Sequence, residues 1–119
     1  TLESARTGWN RRIVAVFQPH LFSRTRDFHR EFGEVLVESD LLVVTDIFPA
    51  REKSLPKITG KLVWQAAKEL GHKNAFYVAR TEEVAPFLKK MVRENDMVIT
   101  LGAGDVHKVG TELLRLLKG

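Results

Sequence analysis

The chain of 119 residues contains no cysteine and no long apolar run. Without thiols, it can form neither disulfide bonds nor thiolate metal sites. No segment reaches the roughly 18 consecutive apolar residues that span a bilayer, and residues 1–12 lack the apolar core of a secretory signal. These absences favour one soluble globular domain, which we expect to be cytoplasmic and to bind no membrane.

Several catalytic signatures are missing as well. The sequence has no GxxxxGK[ST] loop to cradle phosphates, no cluster of metal-ligating residues and no defensible serine–histidine–acid arrangement. We therefore predict no catalytic residue and no metal site within this chain alone. Any enzymatic activity would need groups from another part of a larger protein.

Basic residues exceed acidic ones, which gives a net charge of +4, and they are unevenly distributed. Residues 1–30 carry six arginines against Glu3 and Asp27, whereas residues 31–60 are net acidic. Guanidinium groups match carboxylate and phosphate oxygens, so residues 1–30 form either an anion-binding region or a solvated basic face. The acidic middle third argues against a continuous basic stripe, and we do not expect exposed aromatic residues between the basic ones, so nucleic-acid binding is disfavoured.

Four short aliphatic runs predict strands, namely residues 13–17, 41–45, 75–78 and 97–101. Continuous apolar runs rich in Val and Ile are typical of parallel strands that are buried on both faces. Helical patterns alternate with these runs. The alternation predicts a Rossmann-like three-layer α/β domain over residues 1–119, with a mainly parallel sheet and helices on both faces.

The helical patterns have recognisable boundaries. An apolar stripe runs over residues 28–36, and a second helix is bounded by Thr59 as its N-cap and by Gly71 after its end. The third pattern contains Pro86, and because proline is tolerated only in a first turn, we expect that helix to begin after Thr81. The last helix occupies the C-terminal segment.

Folds of this class bind ligands beyond the carboxyl ends of their strands. His20 and Arg24 follow the first strand beside a helix N-terminus, where N–H groups and the helix dipole favour an anion. The dipole disfavours a cation in a first turn, which suggests that a ligand compensates Arg24. The alternatives are a hydrogen-bonded structural role for His20 and an ion pair from Arg24 or Arg26 to a nearby aspartate.

Two further strand exits carry candidate residues. Asp46 follows the second strand, where its carboxylate can orient an arginine or a ligand amine, or form a turn. Gly102, Ala103, Gly104 and Asp105 follow the fourth strand, and a glycine turn there lets the backbone approach a ligand closely. Asp105 fits equally well as a helix N-cap.

Three motifs in this order resemble the C-terminal domain of the Mur ligase family of peptidoglycan synthesis, and in particular the members that add L-alanine. They are Val16-Phe17-Gln18-Pro19-His20 with Ser23-Arg24-Thr25-Arg26, then Thr45-Asp46-Ile47-Phe48-Pro49-Ala50, and then Thr100-Leu101-Gly102-Ala103-Gly104-Asp105. The resemblance covers nearly the whole chain. It implies a three-domain enzyme, in which an N-terminal domain binds UDP-N-acetylmuramate and a central domain binds most of the ATP and Mg²⁺.

The resemblance also implies a role for the candidate residues. The domain would hold L-alanine and close over the ATP and acyl-phosphate site of the intact enzyme. His20 and Arg24 would lie near the amino-acid carboxylate and the reacting phosphate, and Thr25 and Arg26 would shape their loop. Asp46 completes the predicted substrate-binding set.

The segment from Gly102 to Asp105 would line the cleft. Many family members have arginine directly after the histidine, whereas this chain has Leu21, so one guanidinium of the implied carboxylate site is missing here. Two other interpretations remain open: the C-terminal domain of the related ligase that attaches murein tripeptide, and a stand-alone nucleotide-binding α/β module.

Overall fold

The structure is a computed structural model that describes residues 12–48, 53, 55, 57–102 and 106–118. Strands and helices alternate as predicted. Their order is β1 (Ile13–Phe17), α1 (Phe22–Leu36), β2 (Leu41–Val44), α2 (Lys61–Glu69), β3 (Ala75–Tyr77), α3 (Thr81–Lys89), β4 (Met97–Leu101) and α4 (His107–Lys118). The bounds of β1 and β4 match the prediction, and β2 and β3 each end one residue earlier, a difference common at strand ends.

The four strands form one parallel sheet in the order β3-β2-β1-β4. The chain moves outward from β1 to β3 and then returns to place β4 on the other side of β1. The strand order therefore reverses between β1 and β4. In open parallel sheets, the crevice at such a switch point is where ligands bind.

Apolar clusters on both faces of the sheet confirm the predicted three-layer arrangement. Because successive strand residues point to opposite faces, alternate residues of β1 and β2 belong to different clusters. The cluster with α1 and α2 contains Ile13, Ala15, Leu36, Leu42, Val44, Val63, Ala67 and Ala75. The cluster with α3 and α4 contains Val14, Val16, Leu41, Val43, Val84, Ala85, Leu88, Val106, Val109 and Leu113.

Helix α1 differs from the expected apolar stripe. It begins at Phe22, so the arginines after β1 lie within its first turns. Phe28, which the stripe assigned to the core, is 49% exposed. The buried positions of α1 are Thr25, Gly33 and Leu36. Thr25 and Gly33 have no large apolar side chain, so a search for an apolar stripe does not find them. At Gly33 a Cβ atom would lie 2.8 Å from the Cβ atom of Ala66, so α1 and α2 are in close contact there.

Helix α3 begins at Thr81, and the prediction of a later start was wrong. Pro86 lies inside the helix, and its side chain is exposed. Because proline has no N–H group, the Glu82 carbonyl does not receive its helical hydrogen bond. This carbonyl is on the water-facing side of the helix, where solvent can replace the lost bond. Glu82 and Glu83 occupy the first turn, where the helix dipole favours negative charge.

The N-cap of α2 is not Thr59, as the sequence predicted, whereas Gly71 follows the helix as predicted. Its N-cap is Gly60, while the Thr59 hydroxyl accepts a hydrogen bond from the backbone N–H of Lys61 at 3.2 Å. Gly71 follows the helix with a φ of 99°, the left-handed conformation of a glycine that ends a helix. No helix in the described ranges is both long and apolar enough to cross a bilayer.

Candidate functional site

The segments that follow β1 and β2 pair a second time beyond the ends of the strands. The Phe48 N–H donates to the Pro19 carbonyl at 2.8 Å, and the Leu21 N–H donates to the Phe48 carbonyl at 3.0 Å. These bonds place His20 and Phe48 side by side in a parallel bridge. Their rings are stacked, with centroids 6.0 Å apart and planes inclined by 21°. His20 is thus held on an aromatic surface at the carboxyl edge of the sheet.

Leu21 is the N-cap residue of α1 and has an unusual backbone conformation, with φ 67° and ψ 136°. Such a conformation in a residue with a side chain costs about 1–3 kcal/mol and persists only where the surroundings enforce it. Here the Leu21 N–H is bound by Phe48, and its carbonyl accepts from the N–H and hydroxyl of Thr25 at 3.1 and 2.8 Å. Strain of this kind concentrates at functional sites.

Thr25 lies directly beneath this turn. Its side chain is fully buried, and its hydroxyl donates to the Leu21 carbonyl. Thr25 therefore contributes to the predicted site by fixing the shape of the loop.

The first turn of α1 has little in its own sequence to balance the helix dipole. Leu21 provides no side-chain cap, and the first turn contains no acidic residue. Arg24 is exposed in that turn, and it forms no ion pair with any residue in the part of the chain that the structure describes. Arg24 thus places an exposed guanidinium group in the turn that follows His20 and Leu21, and the N-terminal end of a helix is itself suited to an anion.

Arg26 is arranged differently from Arg24. Its Nε atom lies 2.9 Å from the Oδ1 atom of Asp27, and a hydrogen bond from Arg26 lowers the pKa of Asp27. Both side chains are about half exposed, so solvent weakens the pair. The ion-pair alternative therefore describes Arg26 and not Arg24.

Asp46 connects the end of β2 to the start of α2. Its Oδ1 atom accepts hydrogen bonds from the N–H groups of Ile47 at 3.1 Å and Gly60 at 3.3 Å. Burial, the charge of Asp46 and a hydrogen bond to its carboxylate together raise the pKa of Tyr77 to about 12. The Lys61 Nζ atom lies 5.7 Å from the centre of the Tyr77 ring. Asp46 is thus hydrogen-bonded to backbone groups at both ends of the β2–α2 connection, and a ligand role for it stays a prediction.

Gly102 follows β4 with a φ of 132°. A Cβ atom there would lie 2.5 Å from the Gln18 carbonyl oxygen, so only glycine allows the segments after β1 and β4 to approach this closely. Ala103, Gly104 and Asp105 lie outside the described residues. Their predicted position along the cleft stays a prediction.

The sequence analysis named Gln18 and Phe48 only as members of motifs, and it selected neither of them, nor Tyr77, as a site residue. Gln18 is 5% exposed and directly continues the apolar run of β1, and a polar residue in that position was the available signal. Tyr77 is the only tyrosine of the chain and ends a strand. Phe48 had no distinguishing signal, because the second pairing of the two segments is not encoded in a local pattern.

Three of the predicted residues, His20, Arg24 and Asp46, lie on an open rim where they are partly or fully exposed. Cavities of about 620 and 500 Å³ lie beside α4, the first against α3 and the second against β4. Neither cavity is lined by His20 or Arg24. Among the residues that the structure describes, no three His, Asp or Glu side chains are grouped so that they could hold a metal ion. A rim of this kind can complete a site formed with another domain.

Comparison with known proteins places the chain in a family. A family model described as "Mur ligase, glutamate ligase domain" matches residues 1–104. A UDP-N-acetylmuramate–L-alanine ligase from Syntrophomonas wolfei is 40% identical over 98% of this chain and 25% of its own length. The enzyme of the same name from Cutibacterium acnes is 50% identical over 91% of this chain and 23% of its own length.

A solved structure supports the fold. A domain assigned to a UDP-N-acetylmuramate:L-alanyl-gamma-D-glutamyl-diaminopimelate ligase from Haemophilus ducreyi matches with a TM-score of 0.64 at 17% identity, over 97% of this chain and 76% of that one. The chain spans about a quarter of the length of the curated relatives named above. These matches, together with the motifs at the strand exits, show that the chain belongs to the Mur ligase family and corresponds to its C-terminal domain.

Proposed function

We propose that this chain is the C-terminal domain of an ATP-dependent ligase that joins L-alanine to UDP-N-acetylmuramate in the cytoplasm. The relatives at 40 and 50% identity carry that name. In this proposal, the domain holds the amino acid and closes over the ATP and acyl-phosphate site formed with the N-terminal and central domains. The isolated domain is expected to be inactive.

The observation that carries the proposal is the positive charge at the start of α1, for which the described part of the chain provides no acidic partner. The dipole of α1 and the exposed guanidinium of Arg24 would repel each other without a ligand, because neither an acidic residue nor a side-chain cap lies in that turn. His20 is held beside them by its pairing with Phe48. A carboxylate or a phosphate between these groups would be stabilised by all three.

The chemical contribution of such a site is positioning. Holding an amine and an acyl phosphate in near-attack geometry can supply about 7–11 kcal/mol of a barrier, and donors directed at developing negative charge add to this. When bound, MgATP supplies the activation of the muramoyl carboxylate.

The proposal is tested by Arg24→Ala in the intact enzyme, with UDP-N-acetylmuramate, MgATP and L-alanine as substrates. We expect a higher KM for L-alanine and a lower kcat, with kcat/KM reduced by about 10- to 100-fold, because a hydrogen bond to a charged group contributes about 1.5–3 kcal/mol. Arg30→Ala is the matched control, since Arg30 is an exposed arginine further along the same helix. Unchanged kinetics of Arg24→Ala would refute the site assignment.

The same assay separates the proposal from its alternatives. Replacement of L-alanine by the murein tripeptide should give no product if the chain is an alanine ligase domain. Product from the tripeptide and none from L-alanine would assign the domain to the tripeptide ligase instead. Nucleotide binding by the isolated chain would support a stand-alone nucleotide-binding module.

A further inference from the structure

Gln18 is a buried polar residue at the switch point of the sheet. It follows β1 directly, and it is 5% exposed although its side chain ends in an amide. Burial of an amide costs about 1–3 kcal/mol unless hydrogen bonds compensate. An apolar side chain could fill the same volume without that cost, so its hydrogen bonds indicate what the residue does.

Those bonds connect Gln18 to both ends of the segment between β4 and α4. Its backbone N–H donates to the Leu101 carbonyl at 2.9 Å, which extends the β1–β4 ladder by one residue. Its Oε1 atom accepts from the Val106 N–H at 3.3 Å. Val106 precedes α4 and is fully buried. The side chain thus provides an acceptor to the start of a helix 88 residues away in sequence.

The backbone of Gln18 also limits how close that segment can come. Its carbonyl oxygen would lie 2.5 Å from a Cβ atom at Gly102. Gly102 is therefore packed against Gln18, while Leu101 and Val106 are hydrogen-bonded to it. His20 lies two residues after Gln18 in the same strand exit and is paired there with Phe48.

We infer that Gln18 is a positioning residue that fixes the spacing between two sides of the crevice, one bearing His20 and Arg24 and the other bearing Gly102 and Val106. The inference rests on the proposed function for its kinetic consequence. Without the Oε1 acceptor, the start of α4 loses its link to the β1 exit, and the groups on the two sides lose their fixed separation. Catalysis by positioning is sensitive to such a change, because a shift of about 1 Å can cost about 100-fold in rate.

The test uses Gln18→Leu and Gln18→Glu in the intact enzyme. Leucine keeps an apolar side chain of similar size but accepts no hydrogen bond. Glutamate keeps an acceptor for the Val106 N–H and adds a negative charge that a helix N-terminus favours. Gln65→Leu is the matched control, because Gln65 is the other glutamine of the chain and is exposed on α2.

Two measurements report on separate parts of the inference. Hydrogen–deuterium exchange at the Val106 amide should become about tenfold faster in Gln18→Leu, as expected for the loss of one hydrogen bond, and should stay slow in Gln18→Glu and Gln65→Leu. Steady-state kinetics with L-alanine should show kcat reduced by about 10- to 100-fold in Gln18→Leu, with a smaller change in KM, and most of the turnover restored in Gln18→Glu. Thermal unfolding verifies that each variant is folded.

Each outcome decides a different claim. If the Val106 amide exchanges equally slowly in folded Gln18→Leu, Gln18 does not hold the segment and the inference is wrong. If exchange accelerates while kcat and KM equal those of the wild type, the spacing does not matter for the reaction and the inference is again wrong. If the wild-type enzyme forms no product from L-alanine, the proposed function fails, while the exchange measurement still decides whether Gln18 positions the segment.

Discussion

The contact between α1 and α2 at Gly33 allows a prediction whose magnitude follows from the structure. Gly33 is buried in the interior of α1, and a Cβ atom there would lie 2.8 Å from the Ala66 Cβ atom and 3.0 Å from backbone atoms of Ala66 and Ala67. Two of these three neighbours are backbone atoms, which cannot rotate away. In Gly33→Ala, the two helices must therefore separate by several tenths of an ångström.

Two opposing effects determine the stability of Gly33→Ala. Alanine is favoured over glycine inside a helix by about 1 kcal/mol. Overpacking of a close contact costs about 1–3 kcal/mol. Gly110→Ala is the matched control, since Gly110 is also helical and a Cβ atom there would have no neighbour within 4 Å. We expect Gly110→Ala to be more stable than the wild type and Gly33→Ala to be less stable.

The assay is urea unfolding of the chain, followed by far-ultraviolet circular dichroism. Because the helix-propensity gain is common to both variants, the difference between their free energies of unfolding measures the overpacking alone, and we expect about 1–3 kcal/mol. Equal stabilities of Gly33→Ala and Gly110→Ala would show that the two helices are not in close contact at this glycine.

Two further predictions concern pH and a partly buried ion pair. Burial lowers the pKa of His72 below 6.5, and the neutral ring accepts the Asn74 N–H at Nδ1 at 3.1 Å. The unfolded chain therefore binds the proton more readily, so stability should fall as the pH drops below about 6.5, and His72→Gln should reduce this dependence in urea unfolding at a series of pH values. A dependence as steep in the variant would exclude His72 as its source. Asp96 accepts hydrogen bonds from the Arg12 side chain at 2.8 Å and from a backbone N–H at 2.7 Å, so Asp96→Asn should lower the free energy of unfolding by about 1.5–3 kcal/mol; an unchanged value would refute a stabilising role for the pair.

The sheet was predictable because its signal is local. Continuous aliphatic runs gave all four strands, and their alternation with helices gave the parallel arrangement. The exact extent of α1 was not predictable from apolar periodicity, since its closest packing position is Gly33, a residue without a side chain. Pro86 misled the prediction for α3, because the cost of proline depends on whether solvent can reach the freed carbonyl.

The site was predictable at the level of its loops and less so at the level of contacts. Strand exits in a parallel sheet point to the same edge, so His20 and Arg24 could be selected from their place in the sequence. The different arrangements of Arg24 and Arg26 could be seen only in the structure, because the ion pair of Arg26 with Asp27 depends on the side-chain rotamer of Arg26. The role of Gln18 depends on a bond to Val106, and no local pattern reports a contact over that sequence separation.

The bridge between His20 and Phe48 constrains chain length. Phe17 is aligned with Val44 in the sheet, and His20 is aligned with Phe48 beyond it, so three steps along one segment match four along the other. A single residue inserted or deleted between Phe17 and His20, or between Val44 and Phe48, would change this count. His20 would then no longer stack on the Phe48 ring. Length variation that preserves the arrangement must therefore fall outside these two short stretches, whatever substitutions they accept.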